Sequence, residues 1–258
     1  MSKRDKASLI KHLEQHRLRT LERASAERVI PDQLMMAWIF HDNQLEGRSL
    51  NPDEIRVAIY DRDQERPSYL RPLFEDIRVY RDAIQIAWDW GSQGPDQLSL
   101  TNLKALHKHL LQYTPQEGAK QRLNSPVHRD YHQPICGHTA VGGLLKELYK
   151  EVAAFDPETQ EVLSYAAYLH HQLMYIYPYR RMPGALARLF TNQFLLSHGY
   201  PPIIIPAHER GAYYDALAAA DHQALAQIFH QAAWRILEIL PQMQVSQQRK
   251  ATRRKSAS

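Results

Sequence analysis

Apolar residues recur along most of this chain at the spacing of an α-helix, and almost nowhere at the alternation of a strand. Leu73, Ile77, Tyr80, Ile84 and Ala87 with Trp88 follow the i, i+4, i+7, i+11 rhythm of one helix face. Similar stripes pass through Leu34, Trp38 and Leu45, through Val141, Leu144, Leu145, Leu148 and Val152, and through Val162, Tyr165, Leu169, Leu173 and Ile176. Leu186, Leu189, Phe190 and Leu196 make a further helix closed by Gly199, and Asp221 caps one carrying Leu225, Phe229, Ala232 and Ile236. The one strand candidate, PVHRDYHQPI at 126–135, has prolines at its ends and reads as a short β-hairpin or extended flap. The fold class implied is all-α, one helical domain over residues 31–240 with no repeat and no Gly/Ser linker to divide it.

The 258 residues are 44% apolar, enough to fill a substantial core. No apolar run reaches the ~18 residues of a membrane span, and the polar opening MSKRDKASLIKHLEQHR lacks the apolar stretch of a secretory signal. A single cysteine, Cys136, rules out an internal disulfide framework and reads as a small packed residue. Together these point to a cytoplasmic protein without a membrane role. Residues 1–30 keep Leu9, Ile10, Leu13, Leu18 and Leu21 near helical spacing and read as an N-terminal helical extension. The segment 241–258 ends in QQRKATRRKSAS, basic, acid-free and without large apolar groups; it reads as a disordered tail that could touch nucleic acid or stay solvated.

The segment IYPYRRMPGALAR, residues 176–188, enters a helix through a glycine with arginines on both sides. That arrangement aims backbone N–H groups and positive charge at an anion, and Arg180, Arg181, Gly184 and Arg188 are the candidate anion-binding residues. The segment has no acid to hold a metal and no histidine to accept a proton. Fourteen histidines are present, but the pairs His107 with His109 and His128 with His132 lack the partners of a zinc site, so no metal is assigned. Each residue also has a plain reading: Tyr177 packs at a helix end, Arg180 and Arg181 form a solvated pair, and His170 with His171 belong to the scaffold.

Residues 165–229 resemble the core of the Fic (Fido) family. The likeness rests on Leu169-His170-His171, the Ile-x-Pro-aromatic entry at 176–179, Arg188-Leu189, Asn192, Gly199-Tyr200-Pro201 and the Tyr213-Tyr214-x-x-Leu217 run. LKALHKHLL, about 126–138 and NQLEGRSL fall where that family has an early core helix, its flap and the end of its inhibitory helix, here 33–46. The resemblance implies a Fic-like helical domain with a short β-hairpin flap and a motif loop at 177–184. The family motif, His-Pro-Phe-x-Asp/Glu-Gly-Asn-Gly-Arg-x-x-Arg, transfers a nucleotide monophosphate to a protein hydroxyl. Against it Tyr177 stands for the histidine, Arg181 for the acid, Met182-Pro183 for Gly-Asn and Ala185 for the first arginine, while Pro178, Tyr179, Gly184 and Arg188 remain.

Chemistry gives these departures weight. Tyrosine, with a reference pKa of about 10, is a poor base at neutral pH, and arginine repels the Mg²⁺ that a carboxylate would bind. Proline at 183 removes an N–H from the turn and Ala185 removes a phosphate clamp. No catalytic residue is assigned, Tyr177 being only the degenerate position, and no cofactor is expected. Two functions follow from the resemblance. One is a Fic-fold pseudoenzyme that binds or regulates a protein, such as an active Fic-type enzyme or its target. The alternative is a phosphate or nucleotide site working without Mg²⁺, or an atypical AMPylation-like transferase, through Arg180, Arg181 and Arg188. Homo-oligomer formation stays open. The resemblance also implies that Glu46, as the inhibitory glutamate, pairs with Arg188.

Overall fold

The computed structural model describes residues 30–61, 67–112, 120–125 and 133–255, together with positions 11 and 15, and gives side chains as far as residue 239. Its helices are α1 (Asp32–Leu45), α2 (Pro52–Tyr60), α3 (Arg71–Gln93), α4 (Leu100–Leu110), α5 (Val141–Ala153), α6 (Val162–Ile176), α7 (Pro183–Ser197), α8 (Arg210–Ala218) and α9 (His222–Lys255). Four short 3₁₀ turns link them, and no strand occurs among the described residues.

Local chemistry sets most of the boundaries. Asn51 and Glu54 close a capping box at the start of α2, Ser99 accepts from Asn102 N to start α4, and Asp221 accepts from Ala224 N before α9. Glu161 starts α6 by accepting from both Leu163 N and Ser164 N. Gly199, at φ 77°, ends α7 where a left-handed residue is needed.

The centre of the molecule is α7. Every one of its residues except Leu196 is buried, so it is a core helix enclosed all round rather than an amphipathic surface helix. α3 and α6 pack along it, and α9 covers the other side of α6. The crossing of α3 and α7 is so close at Gly91 that a Cβ there would lie 2.6 Å from Leu196 Cβ and 2.8 Å from the Gln193 carbonyl oxygen. Asn192, also on α7, holds the following extended segment through both amide atoms, donating to Ile203 O at 2.9 Å and accepting from Ile203 N at 2.8 Å.

Two expectations change. The segment 241–258 was expected to be disordered, but α9 runs on to Lys255. Beyond Pro241 its Gln, Lys, Arg, Met and Ala content gives high intrinsic helix propensity, which extends a packed helix that already leads into it. The expected flap falls partly on 126–132, outside the described residues; 133–137 carry no strand, and Cys136 N donates to Tyr175 O at 2.9 Å. The N-terminal extension also lies outside the described residues, apart from helical positions 11 and 15 and from Ile30, which is buried.

The Gly91 crossing yields a direct expectation. Gly91→Ala should destabilise the chain by about 1–3 kcal/mol, the cost of overpacking a filled contact, because one of the atoms met is backbone. Urea denaturation of the two proteins measures it; equal midpoints would show that α3 and α7 separate without cost.

Candidate functional site

The turn from α6 into α7 is built on two residues with left-handed backbone that are not glycine, Tyr177 at φ 47° and Met182 at φ 52°. Such conformations cost about 1–3 kcal/mol each and persist only where surroundings enforce them. Arg122 supplies much of that enforcement. Its guanidinium is buried and donates from Nε to Tyr177 O at 2.8 Å and from Nη2 to Cys136 O at 2.5 Å and Ile176 O at 3.3 Å, while its backbone N donates to Pro178 O at 3.0 Å. A cation on the last carbonyls of α6 also complements the helix dipole. Burial pushes the neighbouring Cys136 thiol upward, against the pull of Arg122.

From the other side α4 grips the turn. The His107 ring stacks on Tyr179, centroids 3.8 Å apart and planes 10° from parallel, and Nε2 meets the Arg181 carbonyl at 3.1 Å. A carbonyl accepts only, so Nε2 carries the proton. Burial lowers the His107 pKa to about 4 despite that hydrogen bond, and the ring is neutral at physiological pH. Tyr177 and Tyr179 are both buried, whereas Arg180 and Arg181 lie on the exposed apex.

Beyond the turn, Arg188 is only 2% exposed. Its Nη2 donates to Glu46 Oε1 at 2.6 Å, and its Nε lies 3.1 Å from Asp42 Oδ1. The Tyr80 hydroxyl donates to the other Asp42 oxygen. On the far side the Tyr213 hydroxyl sits between Arg188 and His170, 2.7 Å from His170 Nε2. An arginine has no lone pair to offer, so the Tyr213 hydroxyl turns its oxygen toward the Arg188 charge and donates to His170. His170 Nδ1 then bears the proton, directed at Thr191 Oγ1 at 3.3 Å and the Ala187 carbonyl. Burial, with Arg188 adding repulsion, lowers the His170 pKa to about 3, so the ring is neutral. Burial alone would lower the Arg188 pKa, but Asp42 and Glu46 overcome it and hold the guanidinium charged.

Gly184 explains how Glu46 reaches this place. A Cβ at 184 would lie 2.3 Å from Glu46 Oε1 and 3.0 Å from Arg188 Nη1, so the carboxylate occupies the space that any larger residue would fill. That space borders the first turn of α7, where the helix dipole favours negative charge. Two donors from α8 fix the end of α1 that delivers Glu46: Arg210 Nε and the Tyr214 hydroxyl reach Leu45 O at 2.8 and 3.1 Å.

Of the residues singled out from sequence, the structure brings Glu46, Gly184 and Arg188 together and leaves Arg180 and Arg181 on the exposed apex. The three arginines were expected to converge on one anion. Instead Arg188 faces inward to two carboxylates, because it lies one turn beyond Gly184 on the buried face of α7. Sequence reasoning missed Asp42, Tyr80, Arg122 and the Tyr213–His170 pair. Asp42 had a usable signal, an acid four residues from Trp38 within an apolar stripe. Among the described residues no group of three or more His, Cys, Asp and Glu side chains could hold a metal ion.

The network predicts two measurable effects. Because Asp42 still faces Arg188 when Glu46 is removed, Glu46→Ala should cost about 2 kcal/mol, whereas Arg188→Leu strands two carboxylates and should cost about 3–5 kcal/mol, both read by urea denaturation. His170 has a folded pKa of about 3 against 6.5, so it contributes stability that is present above pH 6.5 and lost as pH falls toward 3. The parent should lose urea resistance across that window more steeply than His170→Gln; parallel curves would mean the ring is not desolvated.

Comparison with known proteins gives the site its context. Residues 97–195 match the model of the Fic/DOC family. Over 192 residues the chain is 26% identical to a protein of Nematostella vectensis named protein adenylyltransferase Fic, covering 71% of this chain and 43% of that one. It is 30% identical over 125 residues to the Drosophila melanogaster protein of the same name, covering 48% of this chain and 25% of the relative. The chain thus spans less than half the length of these curated relatives. Fic-1 of C. elegans superposes with a TM-score of 0.69 at 17% identity, over 93% of this chain and 73% of that one. A Fic-domain-containing signalling protein of Bacteroides thetaiotaomicron gives 0.70 at 17% identity, over 90% and 94%. No helix among the described residues is long and apolar enough to cross a membrane. The family model over residues 97–195, the relatives and the shared helical fold together identify a Fic/DOC-type domain within this chain.

Proposed function

We propose that the chain is a Fic-fold pseudoenzyme, a protein that keeps the family frame, lacks the groups for nucleotidyl transfer and works by binding or regulating a protein partner. The observation that carries this reading is the motif turn, where Tyr177 is buried at the position of the base and Arg181 stands exposed at the position of the metal-binding acid; beside it the Glu46 carboxylate is seated against Gly184 at the start of α7 and held by Arg188. In that family the same helix end is the ground on which a nucleotide phosphate would be cradled, and here the chain supplies its own anion there. Asp42 and Tyr80 behind Arg188, with Arg210 and Tyr214 on Leu45, tie the carboxylate to the fold at both ends.

The residues at the motif positions support the same conclusion. Adenylyl transfer, the activity named for the curated relatives, needs a base for the attacking hydroxyl and positive charge on the transferred phosphate. Tyr177 stands at the position of the base and is buried with its backbone in the left-handed region. His107, beside the turn, spends its N–H on the Arg181 carbonyl and stacks on Tyr179. Arg181 stands at the position of the metal-binding acid. A metal-free phosphate clamp of Arg180, Arg181 and Arg188 has less support, since Arg188 is committed to two carboxylates.

Incubation of the chain with labelled ATP, UTP or GTP, Mg²⁺ and host lysate should leave no label on protein. Magnesium-dependent labelling that disappears with Tyr177→Phe would sink the pseudoenzyme reading.

A further inference from the structure

The outer rim of the motif turn is a cationic surface that the buried network does not use. From residue 162 to 208 the sequence contains no Asp or Glu, and from 97 to 146 only Glu117 and Asp130. Lys104, Lys108, Lys120, Arg180 and Arg181 are all exposed. Chain neighbours of the three lysines contact that turn. His107, one residue before Lys108 and three after Lys104, binds the Arg181 carbonyl, and Arg122, two residues after Lys120, binds Tyr177 and Pro178. The inward course of the Arg122 side chain turns its neighbour outward: Leu123 is 84% exposed.

Resting on the reading of the chain as a protein-binding pseudoenzyme, we infer that this rim docks an acidic protein segment whose apolar side chain seats on Leu123. Protein interfaces combine an apolar anchor with arginine and a charged rim, and such charge complementarity accelerates and orients encounter. Exposed cations within about a Debye length of 8–10 Å act together at physiological salt. The competing polyanion, a nucleic acid strand, is gripped by exposed rings on which bases stack. Here the turn's own rings, Tyr177 and Tyr179, are buried, and Tyr179 is already stacked on His107. Among the described residues the surface therefore offers charge and a leucine rather than a stacking platform.

Fluorescence anisotropy on the full chain tests this with three labelled probes: a peptide of Glu and Asp interrupted by Leu, the same peptide with Ser for Leu, and a uridine-rich RNA of equal charge. The first peptide should bind at low salt and weaken as salt rises. Arg180→Glu with Arg181→Glu, and Lys104→Glu with Lys108→Glu, should each weaken it about tenfold or more, as expected when central interface charges are reversed. Leu123→Ser should weaken the first peptide toward the affinity of the second, while Arg71→Glu, on the exposed start of α3, leaves binding unchanged. A cooperative melting transition in every variant shows that each still folds, the altered side chains being exposed. Absence of peptide binding by the parent, indifference to the charge reversals, or preference for the RNA overturns the inference. Failure here with no nucleotide labelling leaves the pseudoenzyme reading standing; labelling removes that reading whatever the peptide does.

Discussion

A guanidinium almost wholly withdrawn from water is the constraint around which this fold is arranged. Desolvating Arg188 costs several kcal/mol, and the cost is offset only because two carboxylates and a hydroxyl meet it in place of solvent. The carboxylates come from one end of α1, so that helix cannot slide along α7 without stranding charge in the core. Asp42 and Glu46 stand four residues apart, as do Gly184 and Arg188, and each pair presents one face of its helix end. The small residue at 184 makes the space, the carboxylate from 46 fills it, and the arginine at 188 neutralises it. The register of α1 on α7 is therefore set by electrostatics as well as by packing, which at Gly91 already leaves α7 no room against α3.

The motif turn depends on that register and carries its own strain. Two left-handed residues reverse the chain between α6 and α7, and neither is the glycine that would adopt such a backbone freely. Arg122 compensates by satisfying carbonyls at the end of α6 that a tight turn leaves without intrahelical partners, and His107 does the same for the Arg181 carbonyl. Both grips come from segments remote in sequence. The apex is therefore held by its backbone, which leaves the side chains of Arg180 and Arg181 to solvent.

The helices were legible because their signal is local. The stripe through Ile77, Tyr80, Ile84 and Ala87 lies on the buried face of α3, with Leu73 at its half-buried edge, and the run from Val162 to Ile176 is α6. The continuation of α9 to Lys255 has no such stripe to announce it, only the helix propensity of Gln, Lys and Arg behind an established helix. At the site, the partnership of Glu46 and Arg188 was suggested by family resemblance, since 142 residues separate them and no local pattern joins them. Arg122 was invisible for the same reason: nothing in KQRLNS marks an arginine that will cap a helix more than fifty residues away. Tyr80 was placed correctly in an apolar stripe, but its hydroxyl, which the stripe cannot describe, is what reaches Asp42.

Charge in this region is sorted by depth, and the sorting follows from helix geometry. Position 188 faces inward because α7 is buried on every side there, so its cation had to acquire carboxylates from within the chain. Positions 180 and 181 precede the helix, on an apex whose backbone is fixed from below by Arg122 and His107. Their side chains could turn inward only by displacing Tyr177 and Tyr179 from the core, and burial of those two rings is worth roughly 1.5–3 kcal/mol each. The carboxylates of Asp42 and Glu46 are already engaged with Arg188, which removes the inward partners such a rearrangement would need. An interior cation held by two interior carboxylates, with further cations outside a layer of buried aromatic rings, is thus one arrangement whose weak point is the cation: removing Arg188 leaves both carboxylates in the core without a partner.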